Sequence, residues 1–383
     1  MADLAGDGGG LLYNPTLGSR ALAGGCLKTV AEFQIKYCQF LDAQANLAPA
    51  APALAADVPE LLRMYRMMSL VRTFDAKAVN LQRTGKLGTY ASCLGHEATH
   101  VAVGAAMRPE DVLAPYYREY GTQLWRGVRM SEILIYWGGD EMGSCFSGPR
   151  QDFAWSVPIG SQLLHAAGAA MAMKIRNEPR CAVAYVGDGG TSEGAFYEAI
   201  NLAGTAALPA VFVIVNNRWA ISVPLEKQTA ARTLAQKAIA AGIPGVQVDG
   251  NDFIAVRHVM DEALAKARAG GGPTLVEALT YRLSDHTTAD DASRYRGADE
   301  LHAAWQQEPL LRARKYLTQL GAWSDAQEEA LRAECAREVE AAVDTYASAG
   351  RPHTDAMFDN LFQNPPKSVR EQRESARRYA LHG

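Results

Sequence analysis

The stretch from Val183 to Ser222 constrains this chain more than any other. An apolar run, Ala182 to Val186, ends in Gly187-Asp188-Gly189-Gly190. A helical pattern of Phe196, Ala199, Ile200 and Ala203 follows, and Pro209 opens a second apolar run that closes on Asn216-Asn217. The pattern predicts strand, loop, helix and strand, the unit of an α/β fold with a mainly parallel sheet and helices on both faces. A right-handed crossover returns the second strand beside the first, so Asp188 and Asn217 are expected at one sheet edge although a whole helix separates them. Ligands of open α/β sheets bind at that edge.

The residues there suit a magnesium diphosphate. Asp188 offers a carboxylate and Asn217 a carbonyl oxygen, hard ligands of the kind Mg²⁺ takes when a bound phosphate completes its shell. Gly187, Gly189 and Gly190 let backbone approach a phosphate, and a helix starting at Thr191 would present free N–H groups and a positive dipole end. Gly-Asp-Gly alone marks many ordinary turns. The second strand, its terminal Asn-Asn and Trp219 beyond it make this one a candidate site.

Composition narrows the alternatives. At 383 residues, 48% hydrophobic and 21% charged, the chain can bury a large core. A net charge of −4 and a pI near 6.1 give no global pull toward nucleic acid or an anionic membrane. Cys26, Cys38, Cys93, Cys145, Cys181 and Cys335 lack metal or redox spacing, which points to a reducing, cytoplasmic compartment. No basic residue precedes Arg20, no apolar stretch of signal length opens the chain, and its longest apolar run, Thr205 to Val215, is too short to span a bilayer.

Residues 1–56 read as an arm and linker with one ordered piece, Phe33 to Leu41, a strand or clip. Gly-Asp-Gly-Gly-Gly at 6–10 has no preceding strand and no GK[ST] ending, so it reads as tail. Asp57 caps a helix with Pro59 in its first turn and an apolar side of Leu62, Tyr65, Leu70, Phe74 and Leu81, stopped by Gly85 and Gly88. Another helix opens at Gly95-His96-Glu97-Ala98. His96, Glu97 and His100 share a face, a metal cluster or a structural group; the structural reading is favoured because no further ligand pattern accompanies them.

Asp111 to Tyr117 reads as a short strand ending in Tyr117-Arg118. A guanidinium gives a phosphate two parallel charged hydrogen bonds, whereas the bland alternative is a surface ion pair with Glu119. Ser156 to Gln162 precedes an Ala/Gly-rich helix, Ala166 to Met173. Thr229 to Ala241 reads as helical. Val246 to Val248 is a third strand running into Asp249-Gly250-Asn251-Asp252, whose acids read as turn and helix cap before a helix to about Ala269.

Thr274 to Tyr281 is a fourth strand, followed by the polar loop Arg282 to Asp291. His286 lies there at the same type of strand end as Asp188 and Asn217, among carboxylates that can set its charge near neutral pH. From about Ala298 the chain is helical. Leu331, Cys335, Val339, Ala342 and Tyr346 form a stripe, and a basic, aromatic tail runs from Ser368 to Tyr379.

The segments TGKLGTYASCLGHEA, YYREYG, GDGGTSEG, NNRWAIS, AQKAIAAGIPG, QVDGND and DHTTADDASRYR together resemble the α chain of heterotetrameric 2-oxoacid dehydrogenases, from about Asp57 to the C-terminus. GDG and NN match the ends of a thiamin diphosphate motif. The resemblance implies a thiamin diphosphate-binding fold over residues 57–383, with C-terminal helices from about 300. It implies that Asp188, Asn217 and the Trp219 carbonyl hold Mg²⁺, and that Tyr117, Arg118 and His286 hold or neutralise the diphosphate. Ile159 would lie under the bent cofactor, and His286 beside it as the catalytic histidine that stabilises or protonates. Ser161 and Gln162 match a monovalent-cation loop of the branched-chain relatives, which makes K⁺ a further candidate, and Val157 replaces a serine of those relatives, which weakens one cofactor contact. Thr287 stands where mitochondrial relatives carry a phosphoserine.

The implied reaction is oxidative decarboxylation of a 2-oxo acid with transfer of the acyl group to a lipoyl-bearing acyltransferase component. The pattern most resembles bacterial pyruvate dehydrogenase α chains, so pyruvate is the expected substrate, with branched-chain 2-oxo acids or acetoin open. The family's activating glutamate comes from a β chain, which makes an α₂β₂ heterotetramer the expected unit. Mg²⁺-dependent phosphoryl transfer through Asp188 lacks accompanying P-loop or kinase residues. A non-catalytic diphosphate scaffold is opposed by the intact Asp188, Asn217, Arg118 and His286.

Overall fold

Six strands lie side by side, all parallel, in the computed structural model, which describes residues 29–350 and 352–380. They are β1 (Lys36–Cys38), β2 (Val112–Ala114), β3 (Ala182–Gly187), β4 (Ala210–Asn216), β5 (Gly245–Asp249) and β6 (Thr274–Leu279), in the spatial order β1-β5-β6-β4-β3-β2. The central strands are apolar throughout because helices cover both faces. Val183, Tyr185, Val211, Val213 and Val215 point into one core; Ala182, Ala184, Val186, Phe212 and Ile214 point into the other. The helices Val58–Arg83, Glu97–Ala106 and Phe253–Arg268 close the first core, and Ser161–Ile175 and Gly194–Thr205 the second. Ala166, Ala167 and Ala170 are wholly buried, so the small residues of Ser161–Ile175 bring that helix close to the sheet. No helix among the described residues is long and apolar enough to cross a membrane.

The main compact unit begins at Ile35 rather than at Asp57. Lys36–Cys38 joins the sheet beside Val246–Val248, and Leu41 and Ala45 are buried in the core. Asp252 organises this join. One carboxylate oxygen caps Phe253–Arg268 by accepting from Ile254 N and Ala255 N, both at 3.0 Å, and the other accepts from Phe40 N and Leu41 N at 2.7 and 2.6 Å. Asp249 pairs with Arg312 at 2.6 Å. Both acids thus act as turn and cap. The glycine run at 6–10 lies outside the described residues.

Two elements differ from expectation. The strand after Asp111 stops at Ala114, because Pro115 lacks the N–H that would extend the ladder. Thr229–Ala241 is not one helix: a separate turn of helix, Leu225–Gln228, precedes it, and within it only Lys237–Ala240 is helical, since the Ala235 amide donates to buried Glu277 at 2.9 Å. The C-terminal stripe behaves as its spacing requires. Leu331, Cys335, Val339 and Ala342 of Asp325–Ser348 are buried and pack against Val58–Arg83. The basic tail forms the helix Lys367–Ala380 with no buried residue; its Arg373 and Arg377 pair with Asp359 and Asp355.

His96 and His100 are buried edge to face, 5.4 Å between centroids, with His100 against Tyr185. Both oxygens of Glu97 are occupied elsewhere, by Arg72 at 2.5 Å and Gly95 N at 3.0 Å, so the three side chains do not converge on one point. Burial, followed by the nearby positive charge of Arg118, holds His100 at about 3; burial and then His100 hold His96 well below its ordinary value. Both are therefore neutral in the folded chain and protonate on unfolding. Stability is full above the ordinary histidine value and falls as pH drops below it, by about 1.4 kcal/mol per pH unit for each ring. Thermal unfolding between pH 6.5 and 4 should show this decline, and the His96→Gln/His100→Gln variant should show a shallower slope over the same window.

Candidate functional site

Four strand ends deliver the predicted residues to one edge. Gly187 at the end of β3 pairs with Val215, two residues before Asn217, and Asn216 at the end of β4 pairs with Leu279, three residues before Arg282. Beyond β2, the turn Tyr116–Glu119 is held by the buried Glu119 carboxylate, which accepts from Tyr116 N at 2.9 Å and Arg118 N at 3.3 Å. Burial raises Glu119 to about 7. The surface ion pair considered for Arg118 does not form. Its guanidinium turns inward instead, donating to Ser92 O at 2.5 Å and His286 O at 3.0 Å. Ser92 is placed by buried Asp75, which accepts from Ser92 Oγ at 2.6 Å and Cys93 N at 2.8 Å.

Beyond β3, Asp188 leads into a 3₁₀ turn, Gly189–Ser192, and the α-helix starts at Gly194 rather than Thr191. The Thr191 hydroxyl causes this by donating back to Asp188 O at 2.7 Å, and Lys237 Nζ pins the turn by donating to Thr191 O at 2.7 Å. Side chains have no room here. A Cβ on Gly189 would stand 2.6 Å from Ala220 Cβ, and one on Gly190 2.5 Å from Val186 Cγ2 and 3.1 Å from Ile159 Cγ2. The last contact places half-exposed Ile159 directly over the turn. Burial raises the Asp188 carboxyl, against hydrogen bonds from Gln228 and from the backbone N–H groups of Asp188 and Asn217.

Beyond β4, Asn217 Oδ1 accepts from Trp219 N at 3.2 Å. Arg218 and Ile221, at φ 73° and 55°, bend the chain into a small hairpin that pairs Trp219–Ala220 with Val223–Pro224. Beyond β6, Arg282 clasps that hairpin, donating to Trp219 O at 3.1 Å, Ile221 O at 2.8 Å and Tyr295 Oη at 2.9 Å.

The His286 ring lies between these groups. Its Nδ1 is 3.4 Å from Arg118 Nη2 and 3.3 Å from Arg282 Nη1; its Nε2 is 3.4 Å from Tyr117 Oη. Among the described residues no carboxylate bonds to the ring, although the charge of Asp290 acts on it and opposes the lowering by burial and the arginines. Asp290 accepts from the His286 backbone N–H at 2.9 Å and from Tyr295. Burial and then the charges of Arg118 and Arg282 lower His286 to about 3, so the ring is neutral at pH 7. Two guanidinium donors at Nδ1 make that nitrogen the acceptor, which leaves the proton on Nε2, toward Tyr117. Thr287 is half-buried, and its hydroxyl accepts from Ala289 N at 3.3 Å.

At the predicted monovalent-cation loop, Ser156 Oγ and Ser161 Oγ are 2.5 Å apart, and Ser161 Oγ donates to Pro158 O at 2.8 Å. Gln162 donates to Tyr185 O at 2.6 Å and keeps a buried Oε1 without a partner.

The electrostatics of the edge are unbalanced. Arg118 is 4% exposed, Arg282 0% and Asp188 2%. Among the described residues, neither guanidinium pairs with a carboxylate; their partners are carbonyls, a hydroxyl and an imidazole. Burial and then the like charge of Arg118 press Arg282 below its ordinary value. Buried charges require a counter-charge, so this edge is built to take an anion. Arg282 was legible in principle, as a cation just past a strand end; Gln228, Lys237 and Ser92 carry no such signal.

The chain matches the dehydrogenase E1 component family over residues 65–355. It is 43% identical over 323 residues, 84% of this chain and 88% of the relative, to the 3-methyl-2-oxobutanoate dehydrogenase subunit alpha of Mycobacterium tuberculosis (strain ATCC 25618 / H37Rv). It is 38% identical over 354 residues, 91% of this chain and 95% of the relative, to the pyruvate dehydrogenase E1 component subunit alpha of Staphylococcus aureus (strain N315). The chain belongs to the dehydrogenase E1 component family, thiamin diphosphate-dependent oxidoreductases of the 2-oxoacid dehydrogenase kind.

Proposed function

We propose that this chain is the α subunit of a 2-oxoacid dehydrogenase E1 component that holds thiamin diphosphate and Mg²⁺ at the C-terminal edge of its sheet. One observation carries the reading: two buried guanidiniums without a carboxylate partner stand at the same edge as a buried aspartate. A diphosphate supplies the missing negative charge, and Mg²⁺ suits Asp188. Asp188, the side-chain oxygen of Asn217 and the second lone pair of the Trp219 carbonyl would hold the ion. Tyr117 and Arg118 would hold the diphosphate, and Gly187, Gly189 and Gly190 keep bare the backbone it lies against.

When bound, thiamin diphosphate supplies a nucleophilic carbon and an electron sink for a 2-oxo acid. This chain's residues bind, orient and neutralise. Ile159 supports the cofactor rings. His286, neutral with its proton on Nε2, presents a donor to charge that develops beside it, with Arg118 and Arg282 fixing the ring from behind. The rest of the site is assigned to partners: a β subunit in an α₂β₂ heterotetramer, and a lipoyl-bearing acyltransferase component that takes the acyl group. K⁺ is assigned to the loop where Ser156 Oγ, Ser161 Oγ and Pro158 O lie together and the adjacent Gln162 keeps a buried, unpartnered Oε1.

For the substrate, the motif pattern points to pyruvate. The higher identity to the 3-methyl-2-oxobutanoate relative, 43% against 38%, favours a branched-chain 2-oxo acid as the second reading. The two acids differ by methyl groups, each worth about 1–3 kcal/mol in an apolar pocket.

Calorimetric titration of thiamin diphosphate with Mg²⁺ into the chain co-purified with its β partner tests the site. Asp188→Ala should abolish the Mg²⁺-dependent binding, and Arg118→Gln should weaken it by about 1.5–3 kcal/mol, roughly ten- to hundredfold. Unchanged binding in both would overturn the assignment. The same assembly should turn over pyruvate with the higher kcat/KM, while the chain alone turns over nothing; a preference for 3-methyl-2-oxobutanoate would select the branched-chain reading. KCl, unlike NaCl, should raise the thermal midpoint, and Ser161→Ala should remove the difference.

A further inference from the structure

We infer that Gln228 is a positioning residue of the cation site: one end of its amide fixes the Asp188 carboxylate, and the other end holds a water of the metal's shell. The inference rests on the cofactor reading above and adds a residue that no motif or relative singles out. Gln228 ends the short helix Leu225–Gln228, which follows the hairpin carrying Trp219. Its Nε2 donates to Asp188 Oδ2 at 2.6 Å and to Val223 O at 2.9 Å. Both amide protons are therefore used, one on the carboxylate and one on the hairpin.

This pair of acceptors also fixes the orientation of the amide. Turned over, its oxygen would face a carboxylate and a carbonyl, neither of which has a proton to give. Gln228 Oε1 is thus assigned by its surroundings, and it is buried without a hydrogen-bond partner. It lies beside the phosphate-loop turn, 3.9 Å from where a Cβ on Gly189 would stand. A buried amide oxygen without a donor is costly, so its persistence next to the metal carboxylate calls for a donor that arrives with a ligand.

Mg²⁺ supplies one. It dehydrates reluctantly and keeps water in sites where it is held by one or two carboxylates and a substrate phosphate. Such water carries strongly polarised hydrogens and needs acceptors around the ion. Gln228 Oε1 is a free acceptor at this place, and the other end of the same amide already orients the carboxylate that binds the ion. Removing an outer-shell partner of this kind typically costs about ten- to hundredfold in metal affinity. The amide also ties Asp188 to the hairpin from one side while Arg282 holds it from the other, so the carboxylate and the Trp219 carbonyl keep their spacing.

The test is a Mg²⁺ titration at saturating thiamin diphosphate on the assembly with its β partner, followed by tryptophan fluorescence. Gln228→Met keeps the length and removes the amide. It should raise the apparent Kd for Mg²⁺ roughly ten- to hundredfold. Affinity for inorganic pyrophosphate in EDTA, which reports the arginines without the metal, should stay unchanged. Weakening of both would mark a merely structural loosening of the hairpin and overturn the inference. Asp188→Ala is run beside it. If that variant loses the Mg²⁺ dependence while Gln228→Met binds Mg²⁺ like the unsubstituted protein, the cofactor site stands and the role of Gln228 falls. If Asp188→Ala keeps the dependence, the site assignment itself falls and the inference with it.

Discussion

The register of β3 against β4 is the constraint on which the site depends. Gly187 opposite Val215 brings Asp188 and Asn217 out at the same edge, and the pairing of Asn216 with Leu279 adds Arg282 and His286 to it. That register is secured by burial on both faces. A shift by one residue would exchange the two cores, moving Val183 and Tyr185 to the side shaped for Ala182 and Ala184. The same apolar packing that makes the sheet stable therefore sets the spacing of its polar ends. Chemistry at the edge inherits the precision of the core.

Polar supports then hold each end. Asp75 sets the Ser92 segment, whose carbonyl aims Arg118; Lys237 and the Thr191 hydroxyl shape the turn after Asp188; Glu277 accepts from Asn216 Nδ2 at 2.8 Å and from Ala235 N. Each support comes from a different part of the chain than the residue it positions. Buried polar networks of this kind are favourable only when their members find hydrogen-bond partners, as these supports do. At this edge Arg118 and Arg282 are bonded to carbonyls, a hydroxyl and an imidazole but to no carboxylate among the described residues, and Gln228 Oε1 has no hydrogen-bond partner.

Much of this was legible because it is periodic or local. Apolar runs bounded by glycine and asparagine located β3 and β4, and the caps at Asp57 and Asp252 stood next to the helices they start. The misreadings share a cause, long-range hydrogen bonding that local pattern does not contain. Thr229–Ala241 fails as a helix because Glu277, on a strand later in the chain, takes the Ala235 amide. The helix expected from Thr191 yields to a turn pinned by Lys237. His286 looked acidic in its surroundings because Asp285, Asp290 and Asp291 flank it in sequence, yet in space its ring meets two arginines from separate strand ends. Sequence neighbours set the backbone of that loop; spatial neighbours set the charge of its histidine.

The opposite pressures on Asp188 and Arg282 bear on the ligand proposed for this edge. Burial raises the carboxyl and lowers the guanidinium, so each is pushed toward its neutral form by the same loss of water. A monovalent anion would relieve only the arginines, and a bare cation only the aspartate. The proposed polyanion carrying its own divalent ion would relieve both at once, because its two charges would meet the two buried groups in a single binding event. The free energy of that relief appears as affinity for the ligand and as added stability of the folded state, since the unfolded chain has neither burial to relieve.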